Sequence, residues 1–351
     1  MNRFDFHIPV NIVYGRGEIG RLGQLIPETA RNVLIVTDSG LNKSTKIIKQ
    51  VEALCSPRKV LVYDDIEENP GLQSIERGGM LAREFKPGLV LGVGGGSAMD
   101  AAKGIANQGE NSFPIACVPT TSGTGSEVTP FAVFTDTENK TKLGFSDKNF
   151  FPSFSVIDPE LTYSMPRPVI MNTGLDSLAH AIEAYLSKDS FDLSDALALR
   201  SVNLVIEHLP KAVQRKHPAM DAMAYSAMLS GMAITHASTI LPHIMGYPLT
   251  VYHGVPHGRA GIILLPALLD YLAERNDCQD KLGVLDKLFH GWGGLRAFLD
   301  GLNVSTKLSD YGVKEHELET YVQKTIVKGD VAITPGNIDE GTIMELYRRS
   351  M

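Results

Sequence analysis

Four short, unbroken apolar runs set the strongest limit on how this chain can fold: NVLIVTDSG (32–40), KVLVYDDI (59–66), GLVLGVGGGS (88–97) and FPIACVPTT (113–121). Each closes in small or polar residues, and amphipathic stretches such as STKIIKQVEALC and GLQSIERGGMLAREF lie between them. A strand covered on one face alternates apolar and polar side chains, whereas one covered on both faces is apolar throughout. Runs of this second kind, separated by helices, predict a parallel sheet packed between helical layers. Ligands of such sheets bind beyond the carboxyl ends of the strands, where the Gly and Thr clusters of this chain fall.

From about residue 160 the texture changes. Long helical periodicities take over, as in DALALRSVNLVIEHLPKAV, AMLSGMAITHASTILPHIM and LPALLDYLAERN. At 351 residues the chain exceeds what a single core usually supports. The expected division is an α/β domain over 1–160, Rossmann-like, followed by an all-α domain over 161–351. VIDPELTYSMP (156–166), with its two prolines, marks the crossing.

Composition removes several classes of function. A net charge of −7 argues against nucleic acid as a partner, since phosphate binding needs a basic surface. No apolar run approaches the length of a membrane span, and the first residues lack the layout of a signal peptide, so a cytoplasmic protein is expected. A homo-oligomer, dimer or higher, is the expected assembly. Cys55, Cys117 and Cys278 are widely spaced among apolar neighbours and read as packing residues, neither a disulfide framework nor a zinc site.

GVGGGSAMDAAKGIA (92–106) leaves a strand and opens a helix. Glycines there let a backbone approach a ligand, and the free N–H groups of a helix start favour phosphate. The same stretch also suits a plain tight connection, and it matches neither G-x-G-x-x-G nor the P-loop, because Lys103 has the wrong spacing and neighbour. PTTSGTGSEVTPFAVFTD (119–136) is a second small, hydroxyl-rich cluster after the next strand. Two such loops side by side can grip a pyrophosphate and a ribose. Asp38, at the end of NVLIVT, suits hydrogen bonds from an adenosine ribose and repels a 2′-phosphate, or else caps the next helix.

In the helical half, TGLDSLAHAIEAY (173–185) puts Asp176 and His180 one turn apart on a helix, and LPHIMGYPLTVYHGVPHGRAG (241–261) adds His243, His253 and His257. Three of these imidazoles with the carboxylate, in apolar surroundings, suit a divalent transition metal with an open coordination position. His7, His208, His217, His236, His290 and His316 have no such company and read as surface or packing residues.

In their order, GGGSAMDAAK, PTTSGTGSEVTPFAVFTD, DPELTYSMP, TGLDSLAHAIEAY and PHGRAGIILLP resemble the iron-dependent alcohol dehydrogenase family, which includes glycerol dehydrogenases and is similar to dehydroquinate synthase. The resemblance runs over nearly the whole chain, to a closing TPGNIDEGTIMELYRRSM. It implies metal ligands at Asp176, His180, His243 and His257. It implies cofactor contacts at Asp38, Asn69, Gly95, Gly96, Ser97, Asp100, Thr120, Thr121, Thr124, Thr129, Lys142 and Leu161.

The chain departs from the family in three ways. Tyr247 stands where many members have a substrate-side His, Gly261 replaces the usual Asn, and the chain is somewhat shorter than typical. The expected function is an NAD-dependent alcohol dehydrogenase or aldehyde reductase for small primary alcohols or diols, using Fe(II) or alternatively Zn(II). Tyr247 or His253 would carry the proton, or Tyr247 only shapes the pocket while His253 faces solvent. Glycerol dehydrogenase-like polyol oxidation is the alternative. A dehydroquinate synthase-like lyase is the competitor from another class, and it needs several cationic side chains where only Arg259 stands close by.

Overall fold

The computed structural model describes residues 3–109, 112–289 and 293–351; His290 lies outside them. The four apolar runs form strands β2 (Asn32–Asp38), β3 (Lys59–Ile66), β4 (Leu89–Gly94) and β5 (Ile115–Pro119). Together with β1 (Asn11–Tyr14) and β8 (Phe154–Ile157) they make a six-stranded sheet in the order β1-β8-β5-β4-β2-β3, parallel throughout. Strand β2 shows why the run is continuously apolar. Val33 and Ile35 pack on one face with Ile48 and Val51, while Leu34 and Val36 pack on the other with Ile75 and Met99. The fold is therefore an α/β sheet domain followed by a helical one.

Strands β1 and β8 have no counterpart in the sequence reading. Each is four residues long, and β8 takes the first residues of the segment read as a crossing. A side hairpin of β6 (Phe131–Asp136) and β7 (Thr141–Ser146) follows the hydroxyl-rich loop. The chain runs from β2 to β3 on one side and from β4 to β5 on the other, so the sheet's switch point lies between β2 and β4. Asp38 and Gly95 close the two strands that flank it.

In the second half the helix Arg167–Leu186 is the central element. Every residue from Gly174 to Leu186 is buried, so it is covered on all sides rather than along one stripe. The helices Asp192–Val213 and His217–Ala237 pack against it through small residues. Ser177, Ser201, Ser226 and Ser230 meet there, with Ser177 Oγ 3.0 Å from Ser226 Oγ and Ser201 Oγ 2.8 Å from it, so the buried hydroxyls satisfy one another. The periodicity AMLSGMAITHASTILPHIM is interrupted after Ala237, and a new helix, Leu241–His253, begins with Pro242 in its first turn. Apolar spacing alone does not register so short a break. The proline does, because the first helical turn is where its missing N–H costs nothing. Cys55 and Cys117 are buried and Cys278 partly buried, all three as free thiols.

Candidate active site

A cavity of about 850 Å³ opens at the carboxyl end of the sheet and is closed from the other side by the helical half. Two loops form its sheet side. Gly95 caps the helix Gly96–Ala106, and a Cβ on Gly96 would stand 2.5 Å from Thr124 Cγ2, so the glycine is what lets the second loop lie against the first. Thr120 is held by its N–H donating to Gly94 O at 2.8 Å. Thr121, Thr124, Thr129 and Ser97 line the same space.

Two buried side chains organise these loops. The Asp100 carboxylate accepts from Ser126 Oγ at 2.6 Å and from Val133 N at 2.9 Å. Lys103 is fully buried and its Nζ donates to Ser126 O, Ser126 Oγ, Thr129 O and Phe131 O at 2.7–3.0 Å. Burial raises the Asp100 carboxyl and lowers the Lys103 amine, and each charge opposes the other's shift. Lys103 is thus a clasp across the hydroxyl-rich loop. The sequence reading excluded it as a P-loop lysine without assigning it a role; its i, i+3 spacing from Asp100 was the available signal.

Asn69, with φ 56°, joins the cavity's third edge. Its N–H donates to Ser97 Oγ at 3.2 Å, and its Oδ1 accepts from Lys142 Nζ at 2.7 Å. Burial pushes the Lys142 amine down to about 8, with Asp176 and Asp100 opposing the shift. Asp38 caps the next helix, its Oδ1 accepting from Leu41 N at 2.8 Å, and the residue also lines the cavity. Leu161 does not line it. Its apolar side chain is in the core under the sheet, where the short helix Pro159–Thr162 places it.

On the helical side, Asp176 and His180 face the cavity from Arg167–Leu186, with Asp176 Oδ1 3.8 Å from His180 Nε2. His243 comes from the first turn of Leu241–His253, its ring 5.0 Å from that of His180, and His257 opens the helix His257–Ile262 with its ring 4.7 Å from His243. Gly258 permits this meeting, because a Cβ there would fall 2.2 Å from Asn172 O. Tyr247 completes the wall, its ring 5.9 Å from His243 and 6.0 Å from His257. His253 is not brought to the cavity. Its Nε2 lies 2.7 Å from Tyr321 Oη and 3.3 Å from Glu317 Oε1, beyond the turn made by Gly254 at φ 64°. Proximity to His257 in sequence was misleading, since the helix end between them sends the two rings apart.

Glu183 is a member of this group that the sequence reading passed over. It is fully buried, its Oε2 accepts from Ile240 N at 2.8 Å, and its Oε1 stands 3.7 Å from His243 Nδ1. Asp176, His180 and Glu183 follow the i, i+4, i+7 stripe of one helix face, which was the signal.

The electrostatics suit a cation. Asp176 Oδ1, His180 Nδ1, Glu183 Oε1, His243 Nδ1 and His257 Nδ1 are buried atoms without a hydrogen-bond partner among the described residues, whereas buried polar atoms are normally paired. Burial brings His180 down to about 4 and His257 well below its ordinary value, which keeps both imidazoles neutral and able to ligate. For His243 burial also acts downward, and the Glu183 carboxylate outweighs it, so the net shift is up. Among the described residues no three His, Cys, Asp or Glu side chains are already gathered at metal-binding distance. The 3.8 Å between Asp176 and His180 is only slightly wider than the roughly 3.4 Å edge of a tetrahedron with zinc-like bonds, a gap that side-chain adjustment absorbs.

Residues 9–159 match the model of iron-containing alcohol dehydrogenases, and residues 170–351 match that family's C-terminal model. The chain belongs to the iron-containing alcohol dehydrogenase family. It is 30% identical to alcohol dehydrogenase 4 of Schizosaccharomyces pombe over 99% of this chain and 89% of that protein. It is 29% identical to the 1,3-propanediol dehydrogenase of Citrobacter freundii over 99% and 98% of the two chains. The solved iron-containing alcohol dehydrogenase of Thermotoga maritima superposes with a TM-score of 0.90 at 30% identity, covering 99% of each chain. As a member of this family the protein is an oxidoreductase of the alcohol dehydrogenase type. No helix among the described residues is long and apolar enough to cross a membrane.

Proposed function

We propose that the protein is an NAD-dependent, metal-dependent dehydrogenase of small primary alcohols or diols, running in reverse as an aldehyde reductase. Its division near residue 160 separates the cofactor side from the metal side. The observation that carries the reading is a single cavity lined both by Asp38 with the Gly and Thr loops and by Asp176, His180, His243 and His257. When bound, a divalent cation, Fe(II) or alternatively Zn(II), supplies Lewis acidity toward the substrate oxygen, and the nicotinamide accepts hydride.

The chain's own residues do the positioning. The start of Gly96–Ala106 presents free N–H groups to a pyrophosphate, and the Asp38 carboxylate accepts from the ribose hydroxyls. Lys142 keeps its proton at neutral pH and holds Asn69 by it. Met165, Val169 and Ile234 line the helical wall and keep bulk water from the reacting atoms. Burial holds the Tyr247 hydroxyl protonated, with Asp330 and Glu183 adding to the shift; it is a donor at the wall, not a base. A lyase of the dehydroquinate synthase type finds little support, since Lys142 is the one Lys or Arg among the described residues lining the cavity and Arg259 is turned to Asn172 Oδ1 at 3.1 Å.

The test is absorbance of reduced nicotinamide with protein purified without chelator or oxygen, NAD or NADP, and a panel of short alcohols. Sustained reduction of NAD supports the reading, and none with any alcohol contradicts it.

A further inference from the structure

Next to the four candidate ligands, the helical side of the cavity carries polar groups that the proposed chemistry leaves without a task. Ser238, Thr239 and Asp330 line it alongside Ile234 and Tyr247. Ser238 and Thr239 form the link between two helices just before His243, and Asp330 opens the short helix Asp330–Ile333. Thr239 Oγ1 donates to Asp330 Oδ1 at 3.0 Å, and Thr334 Oγ1 donates to the Asp330 carbonyl at 2.7 Å, so the carboxylate is held in place. Its second oxygen accepts no hydrogen bond among the described residues. Burial lowers the Lys328 amine and the Asp330 charge opposes that shift, but Lys328 Nζ donates to Lys142 O at 2.9 Å and not to the carboxylate.

Ser238 adds a second, independent observation. Its backbone sits at φ 57° and ψ −178°, a conformation that costs an L-residue energy and that persists where surrounding structure enforces it, often at ligand sites. Its hydroxyl has no hydrogen-bond partner among the described residues. A carboxylate oxygen can only accept, so a ligand that fills this space favourably must bring a donor. An alkyl chain pressed against it would strip water from the oxygen and return nothing.

We infer that Asp330, with Thr239 and Ser238, forms a polar subsite that receives a second hydroxyl group, making a short diol, or a hydroxyaldehyde in the reverse direction, the preferred substrate class over a plain alkanol. The inference rests on the alcohol dehydrogenase reading. It assigns Asp330 and Thr239 to specificity, a role separate from that of the four ligands.

The experiment measures kcat/KM for 1,3-propanediol, 1-butanol and 3-amino-1-propanol in the wild type, Asp330→Asn and Thr239→Val. The wild type should favour the diol over butanol by about tenfold or more, and each variant should cut that ratio by about ten- to a hundredfold, the range expected for a hydrogen bond to a charged group. Thr239→Val keeps shape and volume, so it carries the test if Asp330→Asn fails to fold. Butanol preferred by the wild type, or a ratio unmoved in the variants while butanol is still oxidised, overturns the subsite and leaves the alcohol dehydrogenase reading standing. Preference for the amino alcohol overturns the hydroxyl assignment. Absence of turnover with every alcohol overturns both readings.

Discussion

The two sides of the cavity are built on opposite principles. On the sheet side the side chains that organise the loops are satisfied from within: Asp100, Lys103, Asn69 and Lys142 bond to one another or to the loops they hold. What remains for a ligand is backbone, hydroxyls and the free end of Asp38. On the helical side Asp176, His180, Glu183, His243 and His257 each retain a buried atom with no hydrogen-bond partner among the described residues. On the proposed reading, the first half is complete as a shape before anything binds, and the second awaits a cation. Damage on one side should therefore leave the other side's binding intact, and that separation can be attacked by mutation.

The largest effect is expected from the helical side. His180→Ala or His257→Ala leaves three donors around an apolar space, so metal content should fall together with kcat, by about a thousandfold or more for the rate, while the dissociation constant for NAD stays within about a factor of two. Metal analysis and NAD titration on the same preparations check this. Lys103→Met attacks the sheet side. Its Nζ donates to Ser126, Thr129 and Phe131 across the loop, and a hydrogen bond to a charged group is typically worth about 1.5–3 kcal/mol, so Tm and NAD affinity should drop while metal content per folded molecule is retained.

Smaller effects sharpen the comparison. Asp38→Gly should shift the kcat/KM ratio of NAD to NADP by roughly a hundredfold toward NADP, since a 2′-phosphate brings about two negative charges against that carboxylate; an unmoved ratio would reduce Asp38 to its cap. Glu183→Gln should weaken metal binding by about ten- to a hundredfold, as loss of a carboxylate behind a ligating histidine does, with NAD affinity unchanged. The smallest effect belongs to His253→Ala. It should lose about 1 kcal/mol through the bond to Tyr321 and leave the pH–rate profile in place.

Much of the sheet was legible because burial on both faces writes itself as continuous apolar runs, which is why β2 to β5 could be placed from sequence. Strands β1 and β8 were not, since four residues carry too little pattern and β8 runs into a proline-rich link. The residues expected at the cavity converge there with two exceptions, Leu161 in the core and His253 at the Tyr321 contact. Leu161 came from the resemblance and His253 from its closeness in the chain to His257, and neither says which direction a side chain takes within a short 3₁₀ turn or at a helix end. Lys103 and Glu183 were passed over for the reverse reason. Their roles lie in what they hold, and only three-dimensional contact shows that Lys103 spans a loop and Glu183 backs His243.

The central claim is that one cavity joins a preformed nicotinamide site to a metal site, and the most direct measurement is reduction of NAD by a short diol before and after metal removal. Chelator-treated protein should bind NAD with unchanged affinity, form no reduced nicotinamide, and regain activity when Fe(II) or Zn(II) is added under exclusion of oxygen. Full activity in protein shown to be metal-free would contradict the account, as would loss of NAD binding along with the metal.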